Sequence, residues 1–189
     1  MGHKRDDWNR KYQERGSQQF QPEVYLVQNV HRLRPSSVVE VACGDGRNAL
    51  YLCRQGFDVT GVDFSEEGIA RLCRFAAAEN LKLRTQVMDA EDTFALAALG
   101  VFDNAIFIHY KPSVETFRAV ASLLRPQGIL LMTSFNRQHL IESPHFSSDL
   151  CYENEEFLYA DGSLEVLEYV SYTDDRGWLD GYIFRKLVP

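Results

Sequence analysis

Short apolar runs alternate with amphipathic stretches along most of the chain. Val38 to Cys43 reads VVEVAC and stops at Gly44, the pattern of a buried strand entering a tight turn. Asn48 to Arg54 then predicts a helix, closed by Gly56. Asp58 to Phe64 (DVTGVDF) predicts a second strand. Ser65 is placed to cap the next helix, with Glu66 and Glu67 in its first turn where the helix dipole favours anions. Ile69, Leu72, Cys73, Ala76 and Ala77 fall on one helical stripe, with Arg71 and Arg74 off it. Leu83 to Met88 and Phe102 to Ile108 predict the third and fourth strands.

Ser113 opens a further helix in which Val114, Phe117, Ala121 and Leu124 share a face, and Pro126-Gln127-Gly128 stops it. Ile129 to Phe135 predicts the fifth strand. The rhythm then changes: residues 136–163 are long, polar and weakly periodic, the kind of segment that forms a lid or acceptor loop. Glu165 to Tyr172 and Trp178 to Leu187 predict a closing hairpin, turning through Asp174 to Gly177. Strands alternating with helices imply a doubly wound α/β sheet, and the hairpin makes its far edge antiparallel, seven strands in all. A ligand is expected beyond the carboxyl ends of the strands, beside the first one.

Length and charge narrow the function. The 189 residues fit one domain, taken here as 1–189, with residues 1–30 as an N-terminal cap segment. No apolar run approaches the ~18 residues of a membrane span, and Met1 to Arg15 lacks the apolar core of a secretory signal, so the expected location is cytoplasmic. The net charge is −7, and the cations at Lys4, Arg5, Arg10, Lys11 and Arg15 are diluted by Asp6, Asp7 and Glu14; no nucleic-acid partner is expected. Cys43, Cys53, Cys73 and Cys151 form no CxxC pair and are read as reduced core thiols. No metal site is expected, because His139 and His145 stand alone in a polar loop. The chain is expected to be a monomer or a small homo-oligomer.

The chemistry centres on Glu40-Val41-Ala42-Cys43-Gly44-Asp45-Gly46-Arg47-Asn48-Ala49. Gly44 and Gly46 allow a sharp turn and close approach of a ligand. Gly44-x-Gly46-x-x-Ala49, with Asp63 about 20 residues on, also satisfies the dinucleotide fingerprint, so an NAD-binding oxidoreductase domain is a rival reading. Charge separates the two. Asp45 and Glu40 repel a pyrophosphate and attract a sulfonium and an ammonium, a difference on the order of kcal/mol at a few ångströms. Arg47 pulls the other way, toward a phosphate or a carboxylate.

VVEVACGDGRNALYLCRQGFDVTGVDFS resembles the first two motifs of class I S-adenosylmethionine-dependent methyltransferases, and its GRN-x-LYL element is similar to the small bacterial tellurite-resistance-type enzymes. RTQVMDAED, FDNAIFIHYKPS, LRPQGILLMTSF and DLCYENEEFLYADGSLEVLEY resemble later segments of that group, so the likeness runs over residues 8 to 187. It implies a Rossmann-like fold, S-adenosylmethionine as cofactor with S-adenosylhomocysteine as product, and a small-molecule methyl acceptor reached by in-line displacement. A non-catalytic S-adenosylmethionine-binding module stays open beside it. Ala42 departs from the family, which has its first loop glycine there.

The resemblance also implies individual roles. Asp63 would accept from both ribose hydroxyls and Asp89 from the adenine amino group, with Met88 and Ala90 beside the ring and Phe64 and Ser65 near the adenosine. Glu40 would order the loop or face the methionyl ammonium, with Ala42, Gly44, Asp45, Gly46, Arg47 and Asn48 around it and Ile108 on the opposite strand. Trp8 and Tyr12, at i and i+4, would fold over the cofactor or simply anchor the arm. His109 and Tyr110, after the fourth strand, would face the acceptor, with His109 as a base where the acceptor must lose a proton.

Overall fold

The computed structural model describes residues 2–188, so the two ends of the single-domain span lie outside the described residues. Seven strands run in the order β3-β2-β1-β4-β5-β7-β6. They are β1 (Ser37–Val41), β2 (Asp58–Asp63), β3 (Arg84–Val87), β4 (Phe102–Ile108), β5 (Leu124–Phe135), β6 (Leu164–Asp174) and β7 (Gly177–Lys186). The first five are parallel, and β7 runs antiparallel to both β5 and β6. The fold is a doubly wound, Rossmann-like mixed sheet.

Period-two alternation explains the two layers. Val39 and Val41 of β1 point to the face covered by α5 (Thr93–Ala97) and α6 (Val114–Ser122), where Leu96, Phe117 and Val120 pack on them. Val38 points the other way, toward Leu50 of α3 (Arg47–Arg54) and Ile69 and Leu72 of α4 (Glu66–Ala78). Strands buried on both faces read as unbroken apolar runs, which is why VVEVAC is nearly free of polar residues. Ser65 caps α4 as expected, its hydroxyl accepting from the Gly68 N–H at 3.0 Å.

Three expectations need correction. Arg71 is buried, because the chain near Gly16 and Gln18 covers that side of α4 and its carbonyls accept from the guanidinium; Cys73 and Ala77 are the exposed positions. Leu124 is not on α6. The helix ends at Ser122, and Leu124 already pairs with Phe102 in β5. Pro126-Gln127-Gly128 therefore lies inside the strand, at a register shift where Gln127 takes φ +67°; a bulge tolerates a proline that cannot donate. Residues 136–163 are not uniformly loose. They carry α7 (Arg137–Glu142), capped by Asn136, and drive Tyr152 and Phe157 into the core.

The N-terminal arm forms α1 (Gly2–Glu14), which lies against the start of α4. Asn9 Oδ1 accepts from the Ser65 hydroxyl at 2.6 Å and the Glu67 N–H at 3.3 Å. α2 (Val24–Asn29) follows and buries Tyr25 and Leu26. None of the helices is long and apolar enough to cross a membrane among the described residues.

Candidate functional site

After β3 the chain returns to the middle of the sheet, so the carboxyl ends of β1 and β4 form the topological switch point. A cavity of about 1320 Å³ opens there. Its walls come from the turns after β1, β2, β3, β4 and β5, from α1, and from the segment that follows α7.

The β1 turn is backbone geometry first. Ala42, Gly44 and Gly46 all have positive φ, +59°, +58° and +82°. A Cβ on Gly44 would collide with the Tyr12 hydroxyl, and one on Gly46 with Leu72, so neither position admits a side chain. Ala42 takes the left-handed conformation that the family glycine would take without cost. The turn is fastened by Asp63, which accepts from the Gly44 N–H and the Ser65 N–H, each at 2.8 Å. Burial raises the Asp63 carboxyl above its ordinary value, against those two donors.

Glu40 is the unusual acid. It is 2% exposed, one oxygen accepts from Asn48 Nδ2 at 2.9 Å, and Oε2 has no hydrogen-bond partner among the described residues. Burial pushes its carboxyl up to about 7. Asp45 differs from expectation. Its carboxylate is paired with Arg15 at 3.1 Å and with the buried Arg71 at 3.3 Å, so its charge is answered inside the protein rather than offered to a ligand.

Most of the expected residues do reach the cavity wall. Trp8, Tyr12, Phe64, Asp89, Ala90 and Ile108 line it, as do Glu40, Ala42, Gly44, Asp45, Arg47, Asn48, Asp63, His109 and Tyr110. Three do not. Gly46 lies beneath the turn as the residue preceding α3, Ser65 spends its hydroxyl on capping, and Met88 is buried in the core behind the wall. The Asp89 side chain accepts from the Glu91 N–H at 3.0 Å.

The corner around His109 is built from distant segments. His109 Nε2 lies 2.6 Å from Glu23 Oε2, and the Glu23 side chain is fully buried. Arg176, in the β6–β7 turn, grips Glu23 with both terminal nitrogens, at 2.6 and 2.7 Å, and also pairs with Asp174. Arg47 reaches the same carboxylate at 3.3 Å. The paired donors hold Glu23 well below the usual carboxylate range, overriding the opposite pull of burial. Burial lowers His109 below its ordinary value, and Glu23 only partly offsets this. Tyr110 donates its hydroxyl to Glu91, which also accepts from Thr116; burial and that carboxylate keep Tyr110 protonated. A tyrosine held this way orients but does not abstract protons. Phe135 and Phe146 complete this wall; His139 stacks on Phe135 and meets Phe146 edge-on, and the two phenylalanines also touch.

Residues 38–128 match the family model described as a methyltransferase domain. Over that stretch the chain carries a methyltransferase domain, similar to S-adenosylmethionine-dependent enzymes. Its dinucleotide-like glycine spacing is thus the methyltransferase loop, not an NAD fingerprint. The domain is 32% identical over 104 residues to a ubiquinone biosynthesis O-methyltransferase of Caulobacter sp. (strain K31), covering 53% of this chain and 41% of that protein. It is 42% identical over 57 residues to a probable S-adenosyl-L-methionine-dependent methyltransferase, TehB, of Haemophilus influenzae (strain ATCC 51907 / DSM 11121 / KW20 / Rd), covering 30% of this chain and 20% of that one. The matched stretches are therefore less than half the length of these relatives.

The fold of the methyltransferase domain extends the likeness beyond the matched stretch. The crystal structure of TehB from H. influenzae superposes with a TM-score of 0.72 at 21% identity, over 87% of this chain and 62% of that one. Magnesium protoporphyrin IX methyltransferase from Synechocystis PCC 6803, solved with bound S-adenosylhomocysteine, gives 0.73 at 14% identity, over 96% and 97%.

Proposed function

We propose that the chain transfers the methyl group of S-adenosylmethionine to a small-molecule acceptor by in-line displacement. The observation that carries this reading is Glu40 Oε2, a buried carboxylate oxygen on the wall of an open cavity, with no partner among the described residues. An unpartnered buried acceptor is costly, and a methionyl ammonium would satisfy it. Asp63 would accept from the ribose hydroxyls and Asp89 from the adenine amino group, with Phe64 and Ala90 beside the nucleoside. The cavity, at about 1320 Å³, exceeds the ~300–1,000 Å³ of a typical single-ligand pocket and so suits a donor and an acceptor side by side.

The cofactor brings an electrophilic methyl group on a sulfonium. The protein has to align the acceptor and keep water out. Ile108, Phe135 and Phe146 serve the second task, and Trp8 closes over the first turn of the site. His109 receives a proton when the acceptor must lose one, and Tyr110, fixed by Glu91, shapes the acceptor wall. Residues 136–163 act as the acceptor loop, since Phe146, Leu150 and Glu153 reach the cavity.

Calorimetric titration with S-adenosylhomocysteine, with NAD⁺ as control, tests the cofactor. Micromolar binding of the former alone supports the reading, and the reverse result ends it. Methyl consumption across thiols, phenols, amines and carboxylic acids then separates an enzyme from a binding module.

A further inference from the structure

The buried carboxylate at Glu23 is not explained by cofactor binding. It lies outside the methyltransferase loop, is fully buried, and gathers groups from three other elements: His109 after β4, Arg47 of α3 and Arg176 of the hairpin turn. Its own N–H donates to Asn48 Oδ1 at 2.8 Å, and Asn48 in turn donates to Glu40. His109 is held in the left-handed region, φ +53°, a conformation that costs a non-glycine residue ~1–2 kcal/mol. Strain of this kind persists where the surroundings impose it, here through the His109 N–H donating to Thr133 O at 2.9 Å and the ring meeting Phe135.

The proton positions follow from the distances. Two bare acceptors do not approach to 2.6 Å, so a proton lies between His109 Nε2 and Glu23 Oε2. Glu23 is ionised by its arginines, so that proton belongs to the imidazole. Arg176 Nη1, 3.1 Å from Nε2, then points its hydrogens at the carboxylate rather than at the ring. Nδ1 is left buried and without a partner among the described residues.

We infer that Glu23 is a positioning residue for His109. It fixes the ring as the neutral Nε2–H tautomer, leaves the Nδ1 lone pair as the proton-accepting atom, and balances the imidazolium charge once Nδ1 is protonated. The inference rests on the methyl-transfer reading for its role in catalysis, but its geometry stands apart. Glu23 itself accepts no proton, as the aspartate of a hydrolase triad does not. The charges facing the ring are Glu23, Arg47 and Arg176, with Asp174 behind Arg176; Phe135 is neutral.

Imidazole ¹⁵N NMR of the full chain between pH 5 and 9 tests this without any acceptor. The expected wild-type spectrum has His109 neutral at pH 7 with its proton on Nε2. Glu23→Gln should lower the His109 midpoint by about 1 unit or more, because Arg47 and Arg176 then face the ring unopposed, and should mix the tautomers. Glu23→Asp should restore part of the shift, and Arg176→Gln should move the midpoint upward. A wild-type Nδ1–H tautomer overturns the inference, as does an unmoved midpoint in folded Glu23→Gln. Should that variant fail to fold, the wild-type tautomer decides alone. S-adenosylhomocysteine titration on the same samples keeps the two readings apart: no binding with an Nε2–H ring defeats the methyl-transfer reading only.

Discussion

Arg176 and Glu23, 153 residues apart, meet in a bidentate ion pair whose two bonds are 2.6 and 2.7 Å. Removing one partner of a buried pair strands the other charge, at a cost of about 3–5 kcal/mol. Arg176→Ala should therefore lose about 3 kcal/mol at pH 8, with Arg176 partly exposed and Arg47 still in reach. The loss should shrink at lower pH. In the wild type His109 has a folded pKa below the unfolded value of about 6.5, so the unfolded chain binds more protons and stability falls as pH drops through that window. Without Arg176 the ring can charge against Glu23, its folded pKa rises, and the slope reverses sign. Urea denaturation at pH 5.5 and 8 checks this; an equal loss at both would exclude the coupling.

Glu40 gives a second pH signature. Its carboxyl, lifted to about 7 by burial, binds a proton in the folded state that the unfolded chain releases near 4.5. Stability should therefore fall by about 1–3 kcal/mol as pH rises from 5 to 8. Glu40→Gln should flatten that slope. It should also weaken S-adenosylhomocysteine about 10-fold at pH 8, since an amide cannot pair with an ammonium. Thermal melts and calorimetry read the two effects independently.

Asp63 fastens the turn as well as facing the cavity, so Asp63→Ala should do two things. Two backbone donors, on Gly44 and Ser65, lose their acceptor, for about 1–3 kcal/mol of stability. Cofactor affinity should fall roughly 10- to 150-fold. Calorimetry with S-adenosylhomocysteine measures the second effect, and unchanged affinity would remove Asp63 from the site.

Ala42 sits at φ +59°, where glycine costs less. Ala42→Gly should relieve ~1–2 kcal/mol of backbone strain and return part of it as unfolded-chain entropy. The net expectation is a gain of about 1 kcal/mol, or roughly 2–4 °C in Tm for a chain of this size. A lower Tm would mean that the alanine methyl is packing usefully.

What the sequence made legible was local. Ser65 and Ser113 announced their helices because a cap reads its own next three residues, and the strand ends placed Asp63 and His109 because alternation is a short-range signal. Glu23 and Arg176 carried no such mark. Nothing in QPEVY or DDRGW distinguishes a buried carboxylate from a solvated one, since burial there depends on segments far apart in the chain meeting over β4. Arg71 was misplaced for the same reason: its cover comes from residues 16–18, not from its own helix. Asp45 is predicted to face a cationic ligand, yet it pairs with Arg15 and Arg71, partners that spacing in the sequence does not reveal.

The N-terminal segment draws several of its partners from the closing hairpin: Glu23 meets Arg176, while Tyr25 and Arg32 both bond Glu168. During synthesis these early residues emerge more than a hundred positions ahead of their hairpin partners. Glu23 can meet Arg47, Asn48 and His109 as the parallel strands assemble, but its bidentate partner Arg176 and the Glu168 acceptor of Tyr25 come only with the hairpin. Loop closure over such distances is slow, and it makes the corner around His109 one of the last parts of the molecule to form. A ribosome-bound chain halted before the hairpin would hold much of the sheet and the loop after β1, yet lack Arg176 at the corner around His109, so that the two ends of the cavity are completed at different times.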